Sequence, residues 1–363
     1  MNILHLEYAG NIGGIEKLCK DIGMNSKEDK HFFIFVHEGG VIYEQMKENH
    51  LDVSCLYFEN KDIVKLYKFI KKFTYENKID DIIVHHPSPL IWLSVFLYLN
   101  FSHNSNVVIY VHNVYNEIVK HSIFRKKIYD YLLRKSDGII AISEFVKNTI
   151  LEQVDISELK VNVIYNGVKC PDYTEWTFRK YNNPLKIIYI GRLIEKKGVQ
   201  VLLNSVSYLK NKENYEIQII GDGPYKDELE NITKELQITD YVTFYGNQIN
   251  VGDWLCKADI FVHPAIWQEG FGIAIVEALS YGKICVASNR GAIPEIITNG
   301  DNGILFESEN AISLADKIMY ASNMMSDIQI INMQKKAILS SQKFSIEKMA
   351  KNLHEYLLYL EEQ

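Results

Sequence analysis

The chain has 363 residues, 47% of them hydrophobic and 23% charged, which suits about two globular domains and excludes disordered or collagen-like classes. Lys plus Arg number 39 against 46 Asp plus Glu, a net charge of −7, so a protein that coats nucleic acid is not expected. Residues 1–180 hold 22 basic and 23 acidic groups, and residues 181–363 hold 17 and 23, so the acidity belongs to the second half.

The opening run MNILHLEYAG has no basic segment or cleavage site, and no signal peptide is expected. The longest apolar run, LIWLSVFLYL at 90–99, is about half the roughly 20 residues of a membrane span and reads as a buried helix. Cys19, Cys55, Cys170, Cys256 and Cys285 are scattered, with no C-x-x-C pair, which argues against zinc and a disulfide framework and for a reducing cytoplasm.

In chain order, strands are predicted at Ile3–Leu6, Phe32–Val36, Ile82–His85, Val107–Val111, Gly138–Ile142 and Val161–Tyr165. A second series follows at Lys186–Ile190, Glu216–Ile220, Val242–Tyr245, Ile260–Val262 and Ile284–Ala287. Several are apolar throughout, as parallel strands covered on both faces must be. Amphipathic helical patterns separate them, so the expected class is α/β with parallel sheets. The expected domains are 1–170 and 185–343, with a linker at 171–184 and a C-terminal helix at 344–363. Two helical stretches are basic on one side. One is Lys61–Phe73, with Lys61, Lys65, Lys68 and Lys72. The other is Val119–Lys135, with Lys120, Arg125, Lys126, Lys127, Arg134 and Lys135 set against Asp130 alone. They read either as solvated faces or as a peripheral surface for anionic lipid.

Three loops carry chemistry. Asn11–Ile12–Gly13–Gly14–Ile15–Glu16 follows the first strand and opens a helix, where close backbone approach and free N–H groups suit phosphate. It is not G-x-G-x-x-G, so a dinucleotide fingerprint is not supported. Gly191–Arg192–Leu193–Ile194–Glu195–Lys196–Lys197–Gly198 follows a strand, where α/β folds place ligands. There Arg192 can clamp phosphate oxygens and Lys197 adds a point charge. The third loop, His263–Pro264–Ala265–Ile266–Trp267–Gln268–Glu269–Gly270–Phe271–Gly272, precedes a helix at Ile273–Tyr281 that carries Glu277. Eight helical positions separate Cα atoms by about 12 Å, beyond the roughly 5–9.5 Å of paired glycosidase carboxylates. Glu269 and Glu277 therefore suit opposite ends of one elongated ligand, with an anion site at the helix start between them. Phe271, between two glycines, is expected to be exposed. His112, at a strand end, is a further candidate, and His85–His86–Pro87 competes with it. No D-x-D, H-x-x-x-H or carboxylate cluster appears, so no metal site is expected. No G-x-S-x-G appears either.

These residues resemble the retaining glycosyltransferases of family 4 (glycosyl transferases group 1). The resemblance lies in GGIE (13–16), AISEFVKN (141–148), VIYNGV (163–168), GRLIEKKG (191–198), IIGDGP (219–224), ADIFVHP (258–264), EGFGIAIVEALSYGKICVAS (269–288) and GAIPEIITNGDNGILF (291–306). It implies the GT-B architecture, two Rossmann-like parallel-sheet domains facing a central cleft, with the last helix crossing back to the N-terminal domain. It implies that Gly13 and Gly14 contact donor phosphates, that Arg192 and Lys197 clamp the diphosphate, and that Glu277 binds the ribose hydroxyls. It implies that Glu269 touches the donor sugar, held with the backbone of Gly270, Phe271, Gly272 and Ile273, and that His112 lies close to that sugar. His263–Pro264–Ala265 stands where Pro-Ser is common, and Trp267–Gln268 precedes Glu269. Both departures concern the donor-sugar pocket.

The expected function is a retaining, metal-independent, cytoplasmic transferase without a cofactor. It would move a hexose-type sugar from a nucleotide-diphospho-sugar to a saccharide acceptor. A lipid-linked acceptor in bacterial surface polysaccharide or glycolipid synthesis is expected, with Lys61, Lys65, Lys68, Lys72, Arg125, Lys126 and Lys127 touching the inner face of the membrane. Glu269 is either a nucleophile or a group that orients the sugar. The alternatives are a transferase to a protein or soluble metabolite, a sugar-nucleotide epimerase, and a non-catalytic binding subunit.

Overall fold

Each strand pairing in the computed structural model is parallel, which requires a crossover between successive strands and accounts for the alternation of strands and helices in the chain. The described residues are 1–11, 13–120, 122–171, 181, 183–324 and 328–362. The expected linker at 171–184 falls largely on residues outside them, as does Ile12 of the first glycine loop.

Two units divide the chain. One comprises Met1–Gly167 with Ile346–Gln363, and the other Val168–Ser345. The first carries strands β1 (Asn2–Ala9), β2 (Lys30–Glu38), β3 (Asp52–Cys55), β4 (Asp81–Val84), β5 (Asn106–Val111), β6 (Gly138–Ala141) and β7 (Val161–Val163) in the order β3-β2-β1-β4-β5-β6-β7. The second carries β8 (Leu185–Ile190), β9 (Tyr215–Ile220), β10 (Val242–Gly246), β11 (Ile260–His263), β12 (Ile284–Ser288) and β13 (Ile304–Phe306) in the order β10-β9-β8-β11-β12-β13. Both are doubly wound α/β sheets of Rossmann type. In each, strand order reverses beside the first strand, between β1 and β4 and between β8 and β11. Such a switch point opens a crevice at the carboxyl ends of the strands.

The second unit buries a continuous core from Ile187, Ile217 and Ile260 on the sheet to Leu202, Leu314 and Ile318 on the helices. The apolar run at 90–99 forms the helix Pro89–Phe101, with Leu90, Ile91, Trp92, Val95 and Tyr98 buried. No helix of the described residues is long and apolar enough to cross a membrane. The helix Ile346–Glu361 packs into the first unit, burying Met349, Leu353, Tyr356 and Leu357.

Three expectations need correction. Strands β3 and β13 were not predicted, because an edge strand of four residues and a strand of three carry too little periodicity to stand out. The basic stretch at 119–135 is not one helix: Val119, Lys120 and Ser122 are not helical, one helix ends at Ile118 and the next is Ile123–Lys135, capped by Ser122. Its cations are also less free than their spacing suggests. Lys120 and Lys126 face Glu117 and Asp130, while Arg125 donates to the Pro87 carbonyl and lies over Trp92. On the other stretch, Lys61, Lys65 and Lys72 pair with Glu59, Asp62 and Glu76.

Candidate active site

The loop after β8 and the loop after β11 meet at the switch point of the second sheet. Two glycines allow it. Gly198 has φ +74°, and a Cβ there would stand 1.9 Å from the Pro264 carbonyl oxygen. Any side chain at Gly198 would thus pay left-handed strain and push Pro264 away. The Ile266 N–H donates to the Lys196 carbonyl at 3.1 Å, which fastens the two loops. Gly291 has φ +58°, and a Cβ there would meet the Glu269 backbone oxygen at 2.3 Å. The neighbouring Ala292 N–H donates to that oxygen at 2.9 Å, so the Glu269 backbone is fixed from a third loop.

With both loops fixed, three donors converge on one oxygen. Glu269 Oε2 accepts from Lys197 Nζ at 2.7 Å and from Trp267 Nε1 at 3.2 Å, and lies 3.3 Å from His263 Nε2. Lys196 and Lys197 both place their ammonium groups over the Trp267 ring, at 5.0 and 5.5 Å. Burial alone would raise the Glu269 carboxyl, but the Lys197 ammonium and the His263 contact outweigh it and hold the group well below the usual carboxylate range. Burial lowers the His263 pKa, opposed by Glu269, so the ring is neutral and donates its Nε2 hydrogen. Glu269 is therefore a buried carboxylate with one saturated oxygen.

The remaining residues expected here surround this cluster in sequence. Arg192 follows β8, is exposed, and makes no ion pair among the described residues. Gly272 caps the helix Ile273–Ser280 with φ +110°, and Glu277 is half-buried in its second turn. Gly270 is buried in the loop. The exposure expected for Phe271 from its glycine neighbours is contradicted: the residue is buried. Its side chain is 2% accessible and packs edge-on against Phe344, 5.5 Å between ring centres, so it anchors the loop. The signal for His263 and Trp267 as partners of Glu269 was present in the motif, but their convergence on one oxygen depends on the loop's path.

Gly13, Gly14 and His112 lie in the other unit. Gly13 caps the helix Gly14–Asn25 just after β1. His112 stands one residue past β5, half-buried. His85, the competing candidate, is joined to it: His85 Nδ1 and His112 Nε2 are 3.0 Å apart. Both line a cavity of about 20 Å³ with His86, Trp92, Tyr110 and Asn113, at the carboxyl ends of β4 and β5.

Residues 12–170 match the family Glycosyltransferase Family 4, and residues 174–337 match Glycosyl transferases group 1. An uncharacterised 41.2 kDa protein in the cps region of Klebsiella pneumoniae is 27% identical over 332 residues, which is 86% of this chain and 87% of that one. The GPI3 subunit of phosphatidylinositol N-acetylglucosaminyltransferase from Saccharomyces cerevisiae is 28% identical over 197 residues, 52% of this chain and 43% of that one. The crystal structure of Anabaena HepE with UDP matches with a TM-score of 0.83 at 20% identity, over 99% of this chain and 100% of that one, and its complex with UDP-glucose matches with 0.82. With two consecutive domain matches over most of its length and a Rossmann-like unit in each half, the chain belongs to the GT-B glycosyltransferases of family 4 and group 1 type.

Proposed function

We propose that the protein moves a hexose-type sugar from a nucleotide-diphospho-sugar to a lipid-linked saccharide, with retention at the anomeric carbon, in building a bacterial surface polysaccharide or glycolipid. The observation that carries this reading is the Lys197–Glu269–His263–Trp267 cluster at the switch point of the second sheet. HepE, bound to UDP and to UDP-glucose, supports the donor class, and the yeast phosphatidylinositol transferase supports a lipid-linked acceptor.

The chemistry follows from charge. A departing nucleoside diphosphate gathers negative charge, and oriented positive groups at that point lower the barrier. Lys197 keeps ammonium hydrogens beyond the one given to Glu269, exposed Arg192 offers a planar fork, and the helix starting at Ile273 presents free N–H groups. This set answers the leaving charge without a metal. Glu269, held ionised and saturated on Oε2, is a poor nucleophile. Its Oε1, which has no hydrogen bond among the described residues, suits accepting hydrogen bonds from sugar hydroxyls. That favours front-face attack, in which the acceptor hydroxyl passes its proton to the leaving phosphate oxygen. Gly13, Gly14 and His112 carry the phosphate and sugar roles of the N-terminal unit in this proposal.

The donor assignment is tested by thermal shift with UDP, GDP, ADP and their glucose conjugates, since a ligand stabilises the state it binds. Stabilisation by one nucleotide and its sugar is expected. No shift with any of them would refute the donor class.

A further inference from the structure

Four buried or half-buried histidines form a continuous chain across the first sheet. His112 Nε2 lies 3.0 Å from His85 Nδ1, His85 Nε2 lies 2.8 Å from His5 Nδ1, and His5 Nε2 lies 2.8 Å from His31 Nδ1. Each contact needs one hydrogen between two nitrogens, because two lone pairs or two N–H groups at that distance repel. Burial lowers the pKa of all four rings, so each carries one hydrogen. Four hydrogens serve three contacts, and the chain must point one way or the other. Either every ring is protonated on Nε2 and the spare N–H sits at His31 Nε2, or every ring is protonated on Nδ1 and the spare N–H sits at His112 Nδ1.

Three observations choose. Among the described residues His31 Nε2 is buried with no hydrogen-bond partner, so an N–H there would lack an acceptor among them. His112 is half-buried beside the small cavity, where its Nδ1–H can reach water or a ligand. Glu7 Oε1 lies 3.8 Å from His85 Nδ1, which favours a hydrogen on that nitrogen.

We propose that His85, His5 and His31 are positioning residues that lock His112 as the Nδ1–H tautomer, making it a hydrogen-bond donor to an oxygen of the bound substrate rather than a base. The use of that donor rests on the transferase reading; the tautomer does not. His5, Cys19 and His85 also lie close enough to hold a metal ion. The 2.8 Å nitrogen–nitrogen contact between His5 and His85 belongs to a hydrogen bond instead, and the Cys19 thiol donates to Glu7 Oε1 at 2.9 Å.

The test is long-range nitrogen–proton NMR on the full chain with labelled histidine at pH 7.5. Protonated Nδ1 and bare Nε2 are expected at His112, His85, His5 and His31. A protonated Nε2 or an imidazolium at His112, or a metal ion retained on His5, Cys19 and His85, would overturn the proposal. His31→Leu should release His112 into a tautomer mixture and lower kcat for transfer several-fold with KM for donor little changed. His31→Asn, whose amide N–H stands in for Nδ1–H, should restore both. An unaltered His112 tautomer in His31→Leu would overturn the proposal. If His112→Ala leaves transfer intact while the tautomer pattern is as expected, the transferase role of His112 fails and the histidine chain stands.

Discussion

Glu269 shows how a single residue's chemistry is set by its neighbours. A carboxylate this buried would ordinarily take up a proton, yet the Lys197 ammonium and the His263 contact at Oε2 keep it ionised. Glu269→Ala should cut sugar transfer by about 10²–10³-fold, the scale seen on removing one stabilising group from an active site. UDP affinity by calorimetry should stay within a few-fold, since Arg192 and Lys197 remain. Near-normal turnover would show that Glu269 is not at the reacting centre. The importance of this residue was legible in the E-G-F-G sequence, but its state was not, because Lys197 is 72 positions away in the chain. The reading of Phe271 failed for a related reason: its covering partner, Phe344, is remote in sequence.

At the scale of the element, apolar strands and amphipathic helices declared themselves through periodicity, and the short strands β3 and β13 did not. Charge patterns were less reliable than apolar ones. Helical spacing brings Lys61, Lys65, Lys72, Lys120 and Lys126 together on paper, but each has an acid within 4 Å, which partly offsets its charge. The exposed cations of the two basic stretches with no ion pair among the described residues include Lys68, Lys127, Arg134 and Lys135, beside exposed Ile123 and Phe124. In flotation with phosphatidylglycerol vesicles, the protein should bind weakly. Lys68→Glu with Lys127→Glu should reduce binding by more than ten-fold, at about 1 kcal/mol for each basic residue near the surface. Binding that is absent from the start, or unchanged in the double variant, would remove the membrane contact from the account.

For the whole molecule, buried titratable groups set a pH optimum of stability. The pKa values of His5, His31, His85, His86, His112 and His263 are all lowered by burial. Each contributes stability that is fully present above about 6.5, its unfolded value, and is lost as pH falls toward its folded value. Glu7 and Asp81 act in the opposite sense, because burial raises them to about 8 and about 7. Each costs stability as pH climbs from its ordinary value to its raised one, by at most about 1.4 kcal/mol per pH unit. The histidines outnumber the acids below pH 6.5, and the acids act alone above it. Urea unfolding should therefore show maximal stability near pH 6.5, declining toward both pH 4.5 and pH 8. A monotonic rise to pH 8 would contradict this. The two-unit, doubly wound architecture was readable from the sequence, since both sheets are built from apolar runs. The histidine chain was not: His5, His31, His85 and His112 come from four strands or strand ends, and only sheet order makes them neighbours.

The central claim is that this chain takes a hexose from its nucleotide and hands it on with the anomeric configuration kept. Proton NMR of the anomeric region, during incubation of the full chain with UDP-glucose and a bacterial membrane-lipid extract, tests it most directly. The account predicts loss of the α-linked donor signal, release of UDP, and growth of a new α-anomeric signal. A β-linked product, or a changed sugar still attached to UDP, would contradict it.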